Sequence, residues 1–147
     1  MWLVYALSAA VIWGISYAAS GRAIERGLSP LEYFTLYAAT ATVMGLGALL
    51  ATGKLGLLKR IGHTIGDDVL WLWVAVITTS GIGALLIYLA IGEKNATLAS
   101  LIEISYPVFV AFFAWLFFRE VPFNGLTLVG AALILGGVAV VFLANRG

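Results

Sequence analysis

Residues 96–118 read ATLASLIEISYPVFVAFFAWLFF, and the fold follows from how this stretch is placed. Its 23 residues are apolar or small apart from one carboxylate, Glu103. At about 1.5 Å per residue, a helix of that length spans the roughly 30 Å hydrocarbon core of a bilayer. Glu103 then lies about 10 Å deep. A carboxylate at such depth costs a few kcal/mol on insertion scales and usually faces a bundle interior or a wet cavity. Pro107 follows four residues later. Proline has no N–H, so the Glu103 carbonyl loses its helical donor and a kink is expected there. Backbone irregularity in a membrane is tolerated where protein or water covers it. Ala96, Ala99, Ser100, Glu103, Tyr106, Pro107 and Val110 share one helical face. Glu103 is either a titrating or substrate-contacting group, or a neutral packing residue beside the kink. Intramembrane ionisable residues favour the first reading.

Composition agrees with a membrane setting. The chain is 63% hydrophobic and 10% charged, against about 25% charged in soluble domains. The absence of cysteine removes disulfides, thiolate metal sites and cysteine nucleophiles. A net charge of +1 gives no argument for nucleic acid. Five apolar stretches of spanning length stand at about 2–20, 31–51, 69–91, 96–118 and 126–144. The expected fold is an all-α bundle of five transmembrane helices, one domain over 1–147. The first stretch lacks a basic leader and is expected to be a retained helix flanked by Arg22 and Arg26.

In the first stretch Ala6, Ala10, Gly14 and Ala18 repeat every fourth residue, a ridge that lets another backbone approach closely. Trp13 sits at mid-membrane, where it either faces a cavity or fills the bundle. Ser29-Pro30-Leu31-Glu32 suits a helix N-terminus, with Glu32 a surface charge favoured by the helix dipole. Ala41, Gly45, Gly47 and Ala51 offer further close-packing positions. Between 52 and 68, leucines and isoleucines among Lys54, Lys59, Arg60, Asp67 and Asp68 fit a short interfacial helix, and the single histidine, His63, is expected to be solvated. Trp71 and Trp73 open the third span as interfacial anchors. Its middle, 78–84, is small and hydroxyl-bearing, and Gly81, Ala84 and Tyr88 share a face. The turn at 92–95 is tight enough to make the third and fourth spans antiparallel neighbours. Pro122 is expected to end helix before the fifth span, which carries Gly125, Gly130, Gly136 and Gly137.

Taken together, Trp13-Gly14, Ser29-Pro30, Tyr88 with Ala90, residues 96–100, Pro107-Val108, 117–120, Gly130 and Gly136-Gly137-Val138 resemble the EamA-like branch of the drug/metabolite transporter superfamily. The resemblance covers nearly the whole chain and rests on loose, hydrophobic motifs. Arg119 stands where the family often has glycine, and Tyr37 roughly where many members carry arginine. Most members hold two five-helix repeats in inverted orientation; this sequence corresponds to one. Small multidrug transporters, a related short family, place an essential glutamate in the first helix. Here no carboxylate precedes Glu25, and Glu103 would take that role.

The resemblance implies a secondary transporter, an exporter or exchanger of small metabolites or drugs working by alternating access, in the cell (inner) membrane of a prokaryote. The expected lining is Trp13, Tyr17, Ser80, Gly81, Tyr88, Ser100, Glu103 and Tyr106, with Glu103 coupling to protons or binding a cation and Pro107 at the kink. No cofactor, metal or nucleic-acid partner is expected; the partners are lipid, a small-molecule substrate and a second copy of the chain. Five crossings put Lys54, Lys59, Arg60 and Arg119 on one side and Arg22, Arg26, Lys94 and Arg146 on the other, four against four. Orientation follows Lys and Arg excess, so this balance leaves room for both orientations and an antiparallel homodimer. The rival is a non-transporting membrane subunit whose small-residue ridges serve assembly. A membrane-embedded enzyme needs a convergent acid, base or metal set that the sequence lacks.

Overall fold

Among the described residues the chain forms seven helices, several with ends set by short capping signals. A computed structural model describes residues 1–64, 67–120 and 124–145. The helices are α1 (Trp2–Glu25), α2 (Pro30–Ala51), α3 (Gly56–Thr64), α4 (Asp67–Glu93), α5 (Ala96–Glu103), α6 (Tyr106–Phe118) and α7 (Gly125–Ala144). Among the described residues there is no strand. Among the described residues five segments are long and apolar enough to cross a membrane: α1, α2, residues 70–93 of α4, α5 with α6 as one segment, and α7. The all-α, five-span fold expected from the sequence is the fold observed.

The start of α2 is a capping box. The Glu32 N–H donates to Ser29 Oγ at 3.2 Å, the Ser29 N–H donates to Glu32 Oε2 at 2.8 Å, and Pro30 occupies the first turn, where its missing N–H costs nothing. Asn95 and Asn124 cap α5 and α7 from the side-chain half alone, accepting from the N–H groups of Leu98 and Thr127. Two helix ends turn on glycine. Gly27 (φ 104°) closes α1, with the Leu28 N–H reaching back to the Ala23 carbonyl. Gly53 (φ 66°) follows α2, with the Lys54 N–H reaching the Leu49 carbonyl. α1 runs past the expected end at 20 because Arg22 and Glu25, bridged at 2.9 Å, continue its last turn. The short helix expected between the second and third spans is α3. Pro122 and His63 lie outside what the structure describes at side-chain level.

The fourth span is interrupted at residues 104–105, whose backbone stays in the right-handed helical region. α5 stops at Glu103 and α6 starts at Tyr106, with Pro107 in the first turn of α6. The Ser105 N–H bonds the Ile102 carbonyl at 3.2 Å, the Val108 N–H bonds Ser105 O at 3.0 Å, and Ser105 Oγ donates to Ile102 O at 2.9 Å. The serine hydroxyl and these short-range bonds take up part of what the interrupted ladder leaves.

The helices form two compact units. The first comprises Met1–Gly21 with Glu93–Gly147, and the second is Arg22–Gly92. Buried residues are few among those described. Ser20, Gly21 and Ala99 belong to the first unit, Tyr88 and Ile91 to the second. The remaining apolar surface faces outward, as lipid-immersed helices require. Hydroxyls within the spans bond their own helix: Thr35, Thr42 and Thr79 each donate to the carbonyl four residues back.

Each unit is cinched at one helix crossing. In the first, a Cβ on Gly21 would sit 2.8 Å from the Ala96 Cβ. In the second, a Cβ on Gly92 would sit 2.9 Å from Pro30 Cγ. Only a hydrogen at these positions lets the backbones approach so closely. The ridges singled out in the sequence behave differently. A Cβ on Gly14, Gly45, Gly47, Gly130, Gly136 or Gly137 would meet nothing within 4 Å. Those ridges face outward.

Candidate functional site

In the first unit α1 and α5 run antiparallel from the Gly21–Ala96 crossing. One turn back along α1 from Gly21 stands Tyr17, and two turns on from Ala96 stands Glu103. Side chains lean toward the N-terminus of their own helix. Tyr17 therefore leans away from the crossing and Glu103 leans back toward it, and the two meet. Tyr17 Oη donates to Glu103 Oε2 at 2.5 Å, with both residues half-buried. This bond joins residues 86 apart in sequence. A hydroxyl-to-carboxylate bond in apolar surroundings is short and strong for its type.

Trp13 lies one further turn along α1, its ring 5.8 Å from that of Tyr17 and tilted by 35°. Trp13, Tyr17 and Glu103 thus form a continuous strip, carboxylate first and aromatic faces beyond. The carboxylate sits on the last residue of α5, where the final carbonyls of the helix carry partial negative charge. Ser20, fully buried beneath Tyr17, donates its hydroxyl to the Tyr17 carbonyl at 2.9 Å and fixes that turn of α1.

The other expected lining residues divide. Ser100, on the same face of α5 as Glu103, turns its hydroxyl to the Thr97 carbonyl. Tyr106, at the start of α6, is exposed. Ser80, Gly81 and Tyr88 belong to the second unit. Ser80 is exposed, Gly81 is half-exposed, and Tyr88 is only 2% exposed. Tyr88 packs edge-on against Tyr33 (4.7 Å between centroids) and Tyr37 (5.8 Å), all within its own unit. In this structure Tyr88 is the aromatic centre of α2 and α4. Sequence reasoning passed over Ser20, Gly21 and Gly92. The signal available was weak: a serine and two glycines at span ends, where small residues are common for other reasons.

At the far end of the span, Arg119 takes a left-handed conformation (φ 59°, ψ 20°), and the N–H groups of Arg119 and Glu120 turn back to the carbonyls of Trp115 and Ala114. That is the geometry a glycine adopts without strain. The Arg119 guanidinium lies 5.9 Å from the Trp115 ring centre, within cation–π range.

Comparison with known proteins settles the class. The model of the EamA-like transporter family matches residues 1–143, and the chain belongs to that family. It is an integral membrane protein of the drug and metabolite transporter type; the family's members are transporters, not enzymes. No curated protein and no solved structure matches the chain.

Proposed function

We propose that the chain is one half of a secondary transporter for small metabolites or drugs, exporting or exchanging them across a prokaryotic cell membrane by alternating access, with Glu103 as the group that exchanges a proton for substrate. The observation that carries this is the Tyr17–Glu103 hydrogen bond at the α5–α6 break. Transporter sites characteristically use interrupted helices near the midplane. Here the interruption is one residue from the carboxylate, so movement of α6 about residues 104–105 changes what Glu103 faces. A proton on Glu103 and a substrate contacting it compete for the same oxygens, which links transport to pH.

The site is open on the isolated chain. A second copy, inserted in the opposite orientation, rebuilds the inverted ten-helix plan of two-repeat members, and the outward ridges of α1, α2 and α7 give it close-packing surfaces. The four-against-four distribution of Lys and Arg supports insertion both ways.

The test is flux in liposomes reconstituted with the full chain, using a mixed panel of metabolites and drugs under an imposed pH gradient. Expected is saturable, gradient-driven flux that Glu103→Gln abolishes while the variant keeps its helical content and detergent stability. Gradient-driven flux unchanged in Glu103→Gln defeats the coupling role, and absence of any saturable flux favours an assembly subunit. C-terminal reporters active on one side of the membrane should give comparable signals on both sides; a signal on one side at native expression defeats the antiparallel dimer.

A further inference from the structure

The connection between the second and third spans carries a charge pattern that membrane crossing does not need. From Glu32 to Asp67 the chain has no carboxylate, yet Lys54, Lys59 and Arg60 all fall within residues 54–60. Lys54 stands at the entry to α3, and Lys59 and Arg60 lie inside it. At 3.6 residues per turn, the midpoint of Leu57 and Leu58 lies about 160° around the helix axis from that of Lys59 and Arg60. Apolar and cationic residues therefore take opposite faces of α3, a division that the long spans, apolar all round, do not show. Leu55, Leu57 and Leu58 are 44%, 42% and 43% exposed, so the protein leaves the leucine face uncovered; Lys54, Lys59 and Arg60 are exposed as well.

Connectivity fixes the depth of this helix. α2 ends at Ala51 and the spanning part of α4 starts at residue 70, so both meet the same face of the membrane. Gly53 turns the chain off α2, and the Lys54 N–H closes on the Leu49 carbonyl. The four residues left before α3 reach about 14 Å at full extension, which holds α3 at the level where acyl chains meet headgroups. An amphipathic helix there sinks its apolar face into the boundary and turns its cations to the headgroups. A zwitterionic headgroup carries a cation of its own, which Lys59 and Arg60 repel; an anionic one carries none. We propose that α3 is a docking surface for anionic phospholipid, with Leu55, Leu57 and Leu58 among the upper acyl carbons and Lys54, Lys59 and Arg60 at the phosphates. The lipid completes the second unit. The Tyr33–Tyr37–Tyr88 cluster ties α2 to α4 at one end of the pair. At the other end Met44, Leu50, Trp71 and Val74 are exposed, and α3 with its lipid is the tie.

The chain has no cysteine, so Leu57→Cys in the full chain takes a single bimane label on the apolar face. The labelled protein is reconstituted in phosphatidylcholine vesicles that contain a small fraction of phosphatidylglycerol or phosphatidylcholine carrying a nitroxide high on the acyl chain. Both leaflets have the same composition, so insertion in either orientation reads alike. Expected is quenching by both lipids, with phosphatidylglycerol favoured at least about fivefold, the effect of one Lys or Arg at an anionic surface. The preference should shrink as salt rises, because the Debye length shortens. Lys54→Gln, Lys59→Gln and Arg60→Gln together should bring it to parity, whereas Arg26→Gln, which removes an exposed cation outside α3, should leave it unchanged. The salt series on the labelled chain alone stands even if a charge variant reconstitutes poorly. Absence of quenching by either lipid would place α3 off the membrane. Equal quenching by the two lipids would remove the headgroup preference. Loss of the preference on adding soluble glycerol phosphate at the concentration of the anionic lipid would reduce the surface to a general anion site. Each of these outcomes overturns the inference, as does a preference that survives the triple substitution or is indifferent to salt.

Discussion

The two compact units solve one geometric problem twice, with different chemistry in the same place. Each starts from a glycine crossing at a helix end, Gly21 on Ala96 in one and Gly92 on Pro30 in the other. Four residues back from each glycine stands a tyrosine, Tyr17 or Tyr88. Seven residues on from each partner stands the residue it meets, Glu103 or Tyr37. In the second unit Tyr33 joins, and three rings seal the position until Tyr88 is 2% exposed. In the first unit the tyrosine meets a carboxylate, the helix breaks one residue later, and the position stays half open. One crossing geometry therefore yields a buried aromatic core in one unit and a half-open polar contact in the other. Charge in place of a ring, and a helix end in place of a continuous helix, account for the contrast.

The comparison predicts unequal costs. Removing the Tyr88 ring should be the most damaging change, because it empties the only aromatic centre described in its unit. Tyr88→Ala should cost about 3 kcal/mol, in line with large-to-small changes in buried aromatic positions. It should show as a marked loss of folded yield and of the unfolding midpoint in detergent. A cost near that of Tyr17→Phe would mean that the two tyrosines are not differently employed.

Next come the crossings. Adding one methyl at Gly21 or Gly92 places it under 3 Å from Ala96 or Pro30, so the helices must part. Gly21→Ala and Gly92→Ala should each cost roughly 1–3 kcal/mol, as overpacking does. Gly14→Ala, with nothing within 4 Å, should leave the isolated chain unchanged. If Gly14→Ala instead weakens association between copies, cross-linking yield will report it, and the outward ridge of α1 becomes part of the dimer contact.

Smaller still is the hydrogen bond itself. Tyr17→Phe keeps the ring beside Trp13 and removes one bond to a half-exposed carboxyl, a loss of about 1 kcal/mol. Its larger consequence should be functional: with the hydroxyl gone, Glu103 is freed, and the pH dependence of flux should shift while maximal flux persists. A variant that destabilises the chain strongly but leaves the pH profile unmoved would make this bond a structural one.

How much of this could be read in advance depends on the range of the interaction. The five spans, the Ser29–Glu32 capping box and the disturbance around Pro107 are local, set by length, caps and a missing N–H, and the sequence carries them openly. That the disturbance is a two-residue interruption between Glu103 and Tyr106 was less visible, since it also involves the Ser105 hydroxyl. Glu103 stood out by its depth and by the carbonyl that Pro107 leaves free beside it, and Tyr17 was expected only as a neighbour in a cavity wall. Their pairing depends on which turn of α1 meets which turn of α5, and Gly21 sets that register. The small-residue ridges illustrate the limit. Spacing shows that a backbone can be approached, not that this chain approaches it; of the many glycines, Gly21 and Gly92 make the crossings. Tyr88 was ambiguous for another reason, since an amphipathic ring beside small residues suits a cavity wall and an aromatic core equally.

The smallest effect distinguishes the units at their turns. In the second unit, positive φ is taken by glycines, Gly27 and Gly53; in the first it is taken by Arg119. An L-residue held there costs about 1 kcal/mol relative to glycine. The cation–π contact with Trp115, at 5.9 Å and an exposed site, returns about 0.5 kcal/mol. Arg119→Gly should thus stabilise the chain slightly, by about 0.5 kcal/mol, while Arg119→Ala, which keeps the strain and loses the contact, should destabilise it by a similar amount. The difference between the two variants isolates the backbone term, and unfolding midpoints in one detergent measure it. Equal midpoints for Gly and Ala would show that the left-handed turn carries no strain. A Gly variant less stable than the Ala one would show that the guanidinium, and not the backbone, had held this end of α6. Arg119 also contributes one of the four charges on its side of the membrane, so both variants should be read for orientation as well. A shift of the reporter balance in both, with stability raised only in Arg119→Gly, would separate the residue's charge from its conformation.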